Sequence, residues 1–369
     1  MGKALVNFAD FVATTGQRMM SNPGQILNDA TKNTYWFNEM MLGRDQAELV
    51  RGGSKLTDHS QLTKNSQFEF YQPGSTFTAA DSDTLTQVDF HWRYAKNSYG
   101  WTDQQIELNE GEDEKVQYKR LATAMRQNCR LTTIDGMEEA FLSAAPVAAD
   151  MEGSASTSPA PQPFCLRAIV TEAGGAPASA DGATVGWTTV AGVDPAVKTN
   201  WKNKTVAVAK ESIATQLRDG FGQMHRKLNW KKPRGAKADF FKDTKFRKLR
   251  IITNDDGQRR YENILAEGND SFRPNNDAGS TSDGPMWRGI EVEYAAELDT
   301  IAYTAGSPRY FWLNLDYIWP VFHAKKYMVE MPPQNLSAVG QPESWVVWFL
   351  MWYQIFFPSR RRHGIIVVS

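Results

Sequence analysis

The chain has 369 residues, enough for two or three lobes and a sizeable core. Its 41 Lys and Arg against 42 Asp and Glu leave a net charge of −1. That balance argues against a dedicated nucleic-acid binder, which draws affinity from a basic excess. Two cysteines, Cys129 and Cys165, are too few for a disulfide framework, and the opening ten residues, with Lys3 and Asp10, lack the uninterrupted apolar core of a signal peptide.

Residues 1 to about 65 carry short helical patches, Gln25–Ala30 and Trp36–Leu42, separated by Asn22-Pro-Gly24 and Arg51-Gly-Gly-Ser54. Helices this short are marginal alone and need a further surface, in the same chain or in another copy. From Phe68 to about Asn109 the pattern turns extended. Phe68 and Phe70 belong to a candidate strand ending at Pro73-Gly74, and a polar turn follows at Thr78–Asp83. Val88, Phe90, Trp92 and Tyr94 then alternate with Asp89, His91, Arg93 and Ala95, as in a strand with one largely apolar face. A lone two-stranded ribbon is poorly stable in water, so that face requires a partner.

Residues 112 to about 145 give the strongest helix. Glu112-Asp113-Glu114 puts acid at the positive end of the helix dipole, and Val116, Leu121, Met125, Cys129, Ile134, Met137 and Phe141 follow at near-helical spacing. Gly136 is expected to bend or interrupt it. About thirty residues of helix span about 45 Å. Residues 146–162 are a Pro-, Ala- and Ser-rich surface connection, and Phe164–Val170 reads as a strand. Ala207–Asn229 reads as a helix, with Ile213, Leu217, Met224 and Leu228 at four- and seven-residue steps and Lys231-Lys-Pro-Arg234 ending it. Phe246–Thr253 is a strand, Gln258–Ala266 a short helix and Ile290–Tyr294 an alternating strand. Helices and strands interleave, which defines a mixed α+β class.

The last sixty residues are the most informative. Arg309–His323 is aromatic-rich, and Trp345–Phe357 is apolar on both alternating faces, so it reads as a strand covered on both sides. Its thirteen residues, Gln354 among them, fall short of the roughly 20 that a bilayer-spanning helix needs. Arg360-Arg-Arg362 follows, and Ile365–Val368 closes the chain as a second apolar strand.

This order resembles the closing segment of tailed-bacteriophage major capsid proteins with the Hong Kong 97-type fold. There an aromatic-Leu-Asn element, a central sheet strand and an Arg-Arg-x-Gly-hydrophobic ending occur together; here they are Trp312-Leu-Asn314, Trp345–Phe357 and Arg361-Arg-His-Gly-Ile365. Val50–Asp58 also resembles the family's arm-to-loop junction, and Val193-Asp-Pro-Ala196 ahead of Trp201 resembles a recurrent capsid segment. The likeness covers roughly residues 50 to 369. It implies an N-terminal arm over 1–65 and an extended β-hairpin loop over 66–110 that lies across a neighbouring subunit. It further implies a peripheral lobe with a spine helix over 111–205, with contributions from 285–310, and an axial lobe with a central mixed sheet over 206–369. It also implies a non-enzymatic shell subunit that self-assembles as hexamers and pentamers around double-stranded DNA, held by loose, non-specific proximity. Scaffolding, portal and decoration proteins are the further partners implied. No membrane is involved; assembly is expected in the host bacterial cytoplasm and residence in the virion capsid.

No catalytic, cofactor-binding or metal site is expected. His59, His91, His225, His323 and His363 show no metal-ligand spacing, and there is no phosphate-cradling glycine loop or nucleophile elbow. The loop Asn269–Gly284 gathers Asp270, Asn275, Asn276, Asp277 and Asp283 but does not match a calcium-binding loop, so a solvated loop is the reading. Arg360–His363 divides between ion pairing within an assembly and proximity to DNA. The basic stretch Lys227, Lys231, Lys232, Arg234 and Lys237 suits the negative end of a helix dipole. Lys64-Asn65 and Lys96-Asn97 are dipeptides on which no cross-link site is placed. The twelve tryptophans are spread from Trp36 to Trp352, which favours cores and interfaces over a stacking platform. The alternative is a glycan-binding or glycan-cleaving protein, for which no converging carboxylate pair presents itself.

Overall fold

The computed structural model describes residues 48–63, 70, 72, 84–104, 114–153, 161–183, 186–209, 213–228, 249–267, 285–301, 307–336 and 343–368. The helical patches expected at 25–30 and 36–42, the turn at 78–83, Lys231–Arg234 and the loop 269–284 lie outside them. In chain order the strands are β1 (Glu48–Val50), β2 (Lys55–Gln61), β3 (Leu85–His91), β4 (Arg93–Thr102), β5 (Lys204–Val208), β6 (Leu249–Thr253) and β7 (Met286–Trp287). They continue with β8 (Ile290–Tyr294), β9 (Arg309–Asn314), β10 (Trp319–His323), β11 (Val329–Glu330), β12 (Gln334–Asn335), β13 (Ser344–Phe356) and β14 (Gly364–Val368). The long helices are α1 (Glu114–Leu142), α2 (Ile213–Leu228) and α3 (Asp255–Glu267). The chain forms two compact units. The described residues of one come from Asn97–Asp135 and Met331–Trp348, and those of the other from Thr34–Lys96, Gly136–Glu330 and Phe349–Ser369.

The larger unit is built on a mixed sheet of order β5-β14-β9-β6-β8-β7. β14 lies parallel to β5 and antiparallel to β9, while β6 lies antiparallel to β9 and parallel to β8. Both faces are covered. Val206, Val208, Ile251, Val292, Tyr310, Trp312 and Ile366 pack with Leu217, Phe221 and Met224 of α2 and Tyr261 of α3. Ile252, Phe311, Leu313 and Ile365 face a second, larger core with Phe90, Trp92, Phe141, Phe164 and Trp201. Phe221 is the hub of the helix side. Its ring stacks on Tyr261 at 5.2 Å and meets Tyr310 and Trp312 edge-on at 5.2 and 5.1 Å, an arrangement that suits the quadrupoles of the rings. Immediately before it, Gly220 has no side chain because a Cβ would sit 2.8 Å from Val208 Cγ2.

In the same unit β10 pairs in parallel with β1 and antiparallel with the second half of β13, His323 following the Phe322–Tyr353 pair. Phe349, Met351, Tyr353 and Ile355 are buried on one face of β13 and Gln354 on the other, where Phe356 and Trp352 are half-buried. The strand reading of this segment and its two-sided cover therefore hold along this half.

In the smaller unit α1 crosses beside β4. Asn97 Nδ2 donates to the Cys129 carbonyl at 3.0 Å and to Thr133 Oγ1 at 3.1 Å. β4 reaches the first half of β13 at Gly100, where a Cβ would lie 2.6 Å from the Trp345 carbonyl oxygen. Trp345 Nε1 donates to Asp103 Oδ1 at 2.8 Å, beside the backbone bond from Asp103 to the Glu343 carbonyl.

Several sequence readings are corrected. α1 runs unbroken through Gly136, so glycine there costs helix stability without interrupting the helix. The run Phe164–Val170 is a single helical turn, Leu166–Ile169, with every residue buried; a short apolar run has no period to separate a strand from an enclosed helical turn. The helix expected from Ala207 begins at Ile213. Ahead of it Val206 and Val208 alternate inward around an exposed Ala207 as edge strand β5. Phe70 is in no strand, Phe68 and Pro73-Gly74 lie outside the described residues, and the strand opposite β3 is Lys55–Gln61. Its single apolar residue, Leu56, is too little for an alternation to be legible.

Candidate assembly surfaces

The β2–β3 ribbon is the element most closely tied to the expected function. Its apolar side is formed by Leu56, Val88 and Phe90, with Trp92 just beyond β3; all four are buried in the chain's own core. Phe90 lies against Phe356, Phe357 and Phe164 at 4.7, 4.9 and 5.9 Å. Polar bonds fasten both strands. Ser60 Oγ donates to the Pro358 carbonyl at 2.8 Å, Asn200 Nδ2 to the Leu62 carbonyl at 2.7 Å, and Lys198 Nζ to Thr63 Oγ1 at 3.0 Å. The Asp89 amide donates to the Ala191 carbonyl at 3.1 Å, and Trp92 Nε1 to the Gly53 carbonyl at 3.0 Å. Gln354, deep in β13, donates to the His91 carbonyl at 2.7 Å and accepts from the Phe164 amide at 3.0 Å.

The partner that this apolar face requires is thus the chain itself along residues 55–63 and 85–92. Alternation reveals that a face must be covered, but the covering residues, Phe164, Phe356 and Phe357, are distant in sequence and leave no mark on the strand. The alternation also ends early. Trp92 falls between β3 and β4, Arg93 turns inward to 1 % exposure, and Tyr94 is left 51 % exposed against Trp352.

The turn that receives Asp89 is itself held by a carboxylate. Ala191 and Gly192 adopt φ of 54° and 77°, so their amides point the same way, and Glu152 accepts from both. Burial pushes the Glu152 carboxyl up, and these two amides pull it back.

Arginines fasten the interior. Arg93 donates to the Gln162 and Gly153 carbonyls at 2.9 Å each. Arg167 reaches the Ser143 and Asp181 carbonyls at 2.7 and 3.1 Å. Arg360, fully buried, donates to the Ile169 carbonyl at 2.7 Å and the Gly175 carbonyl at 2.9 Å. Burial lowers its guanidinium to about 9, against the pull of Asp181 and Glu152. Arg250 instead bridges Glu291 and Glu293 of the neighbouring strand at 2.8 and 2.7 Å.

The Arg360–Arg362 triplet is a single 3-10 turn. Arg360 points inward, Arg361 bonds Asn200 Oδ1 at 2.9 Å, and the Arg362 guanidinium lies 5.5 Å from the Tyr317 ring centre. The even division between subunit pairing and DNA fails for Arg360, which is buried and donates from Nε and Nη2 to carbonyls inside the fold. No sequence signal could have shown this, because its acceptors are backbone carbonyls.

The histidines are scattered. His59 is exposed on β2, and His91 follows Phe90 with its imidazole held down by burial and by Arg93. His225 lies in the last turn of α2, and His323 packs between Trp92 and Trp352 at 5.6 and 5.1 Å. His363 is buried at the foot of β14. Among the described residues no three His, Cys, Asp or Glu gather as a metal site. Trp92, Trp201 and Trp312 are buried in cores, and the glycan alternative is not favoured.

These elements, an α1 rod, a ribbon rooted on its own body and a mixed sheet with helices on one face, define an α+β fold shared with bacteriophage capsid chains. The chain matches one from the Cyanophage A-1(L) capsid asymmetric unit with a TM-score of 0.55 and 13% identity, over 92% of this chain and 94% of that one. A chain of Mycobacterium phage Ogopogo (TM-score 0.49, 10% identity, 96% and 99% covered) and one of the bacteriophage PhiM1 mature capsid (0.48, 10%, 94% and 91%) also match. No family model and no curated protein matches the chain.

Proposed function

We propose that the chain is the major capsid protein of a tailed bacteriophage, a non-enzymatic subunit that builds an icosahedral shell around double-stranded DNA. The observation that carries this is the fold likeness to the Cyanophage A-1(L) capsid chain, which extends over nearly the full length of both chains. The Arg361-Arg-His-Gly-Ile365 ending adds to it from the sequence side.

In this reading the mixed sheet with α2 and α3 is the axial lobe. α1 with β4, β10 and β13 forms the peripheral lobe, and β2–β3 is the root of the extended loop. That β10 and β13 pair with each other and not with the mixed sheet supports counting Trp319–Phe356 with the peripheral lobe in this reading. Residues 1–47 act as an arm. The subunits meet as hexamers and pentamers, with scaffolding, portal and decoration proteins as further partners. The product is the virion capsid, assembled in the host bacterial cytoplasm. Many contacts made at once hold each copy through avidity, so no single one needs to be strong.

Negative-stain electron microscopy of the purified full-length protein tests this. Closed shells, rings of five or six, or sheets are expected. A monodisperse monomer at all concentrations, with or without co-expressed assembly partners, would overturn the reading.

A further inference from the structure

We propose that the corner of the mixed sheet formed by Lys204, Lys227 and Arg361 binds the phosphate backbone of duplex DNA. The inference deepens the proposed function and rests on it only for the source of the duplex.

The three side chains come from three distant segments. Gly364 of β14 lies opposite Lys204 of β5, which sets the turn carrying Arg361 beside the start of β5. Arg361 is fixed there by Asn200, and the Lys227 amine, in the last turn of α2, reaches the Thr205 carbonyl at 2.8 Å. Lys227 and Arg361 are exposed, and Lys204 is half-exposed. Among the described residues none of the three forms an ion pair with a carboxylate. Lys204 feels the other two directly. After burial, Arg361 and Lys227 are what lower its amine, with no acid opposing them.

The sequence explains the lack of acid. Segments 195–209, 220–228 and 357–368 together hold eight Lys and Arg and no Asp or Glu. They carry +8, with Arg360 buried among them, so the rest of a chain of net charge −1 carries −9. Near-neutrality of the whole therefore conceals a local excess of cations in these segments. The dipole of α2 favours Lys227 as a residue of its last turn, whereas Lys204 and Arg361 are supplied by other segments.

A duplex carries one phosphate charge per roughly 1.7 Å of axis, the densest anion such a corner could meet. An acidic face of a second copy is the weaker match. Protein interfaces centre on apolar anchors and deplete lysine, and the only large exposed hydrophobic residue in the three segments is Val197.

The test is fluorescence anisotropy of a labelled random 30-base-pair duplex with the purified full-length protein, from 25 to 200 mM salt. Wild type is compared with Lys204→Gln/Lys227→Gln/Arg361→Gln and with a control that removes three exposed cations elsewhere, Arg130→Gln/Arg259→Gln/Lys325→Gln. The corner variant is expected to lose tenfold or more in affinity at 100 mM salt. Its log–log salt slope should flatten by about 2–3, at about 0.9 per phosphate contact. The control should change by less than threefold. Equal losses in both variants would overturn the proposal, since net charge alone would then account for binding. So would a corner variant that binds DNA like wild type but no longer forms oligomers in sedimentation velocity, which would assign the corner to another copy. Corner-dependent DNA binding by a protein that never assembles would uphold the corner and sink the shell reading.

Discussion

His363 shows how much one side chain can depend on its enclosure. Its Nδ1 accepts from the Asn314 amide at 3.3 Å, so the proton sits on Nε2, 3.2 Å from the Tyr317 carbonyl. Those partners bracket the turn from β9 to β10. Burial brings the imidazole down to about 4, the Tyr317 carbonyl opposes this, and Arg360 reinforces it. The folded chain therefore binds this proton more weakly than the unfolded chain, whose imidazole titrates near 6.5. Stability is expected to fall as pH drops from about 6.5 to about 4 and, for this group, to fall no further below. Between pH 7.5 and 4.5 the loss is about 2–3 kcal/mol. Urea unfolding of wild type and His363→Gln at both pH values checks this, since carboxylate titration is common to both. An equal pH dependence in the two proteins would remove His363 as the cause.

At the scale of elements, the β2–β3 ribbon separates two effects of one residue. Trp92 is 3 % exposed, touches His323 and bonds Gly53. Trp92→Ala is expected to destabilise the isolated subunit by about 3–5 kcal/mol, the cost of emptying an aromatic site in a packed core. The denaturation midpoint of unassembled protein reads this directly. A loss confined to assembled particles would mean that the ring meets a neighbour instead. Much of this element was legible: the period-two run at Val88–Trp92 announced a strand and its buried face. Its partner strand was not legible, because Lys55–Gln61 is polar on nearly every position and is a strand only because β3 lies beside it.

At the scale of the whole molecule, the shell reading predicts that removing residues 1–47, which leaves β1 in place, impairs closed-shell formation more than it changes the circular dichroism of the subunit. Particle yield by electron microscopy beside far-ultraviolet spectra tests this, and full yield from the shortened chain would take the arm out of the assembly. The local excess of cations belongs to this scale too. Composition reports a chain of net charge −1, and only the pairing of β14 with β5 and the return of α2 past Thr205 bring Lys204, Lys227 and Arg361 to one corner.

Local pattern by itself determined which stretches form helices and strands wherever a period was long enough to read: α1, most of α2, β8, β13 and β14. It also determined the α+β class and the order of elements that carries the likeness to phage capsid chains. Tertiary structure alone decided that the ribbon's apolar face closes on its own body, that Phe164–Val170 coils instead of extending, and that Arg93, Arg167 and Arg360 serve as internal fasteners. The reason is physical. Periodicity is written in neighbouring residues, whereas burial and hydrogen-bond partners are set by distant segments. Backbone carbonyls, which accept from these arginines, are the same at every position in the sequence.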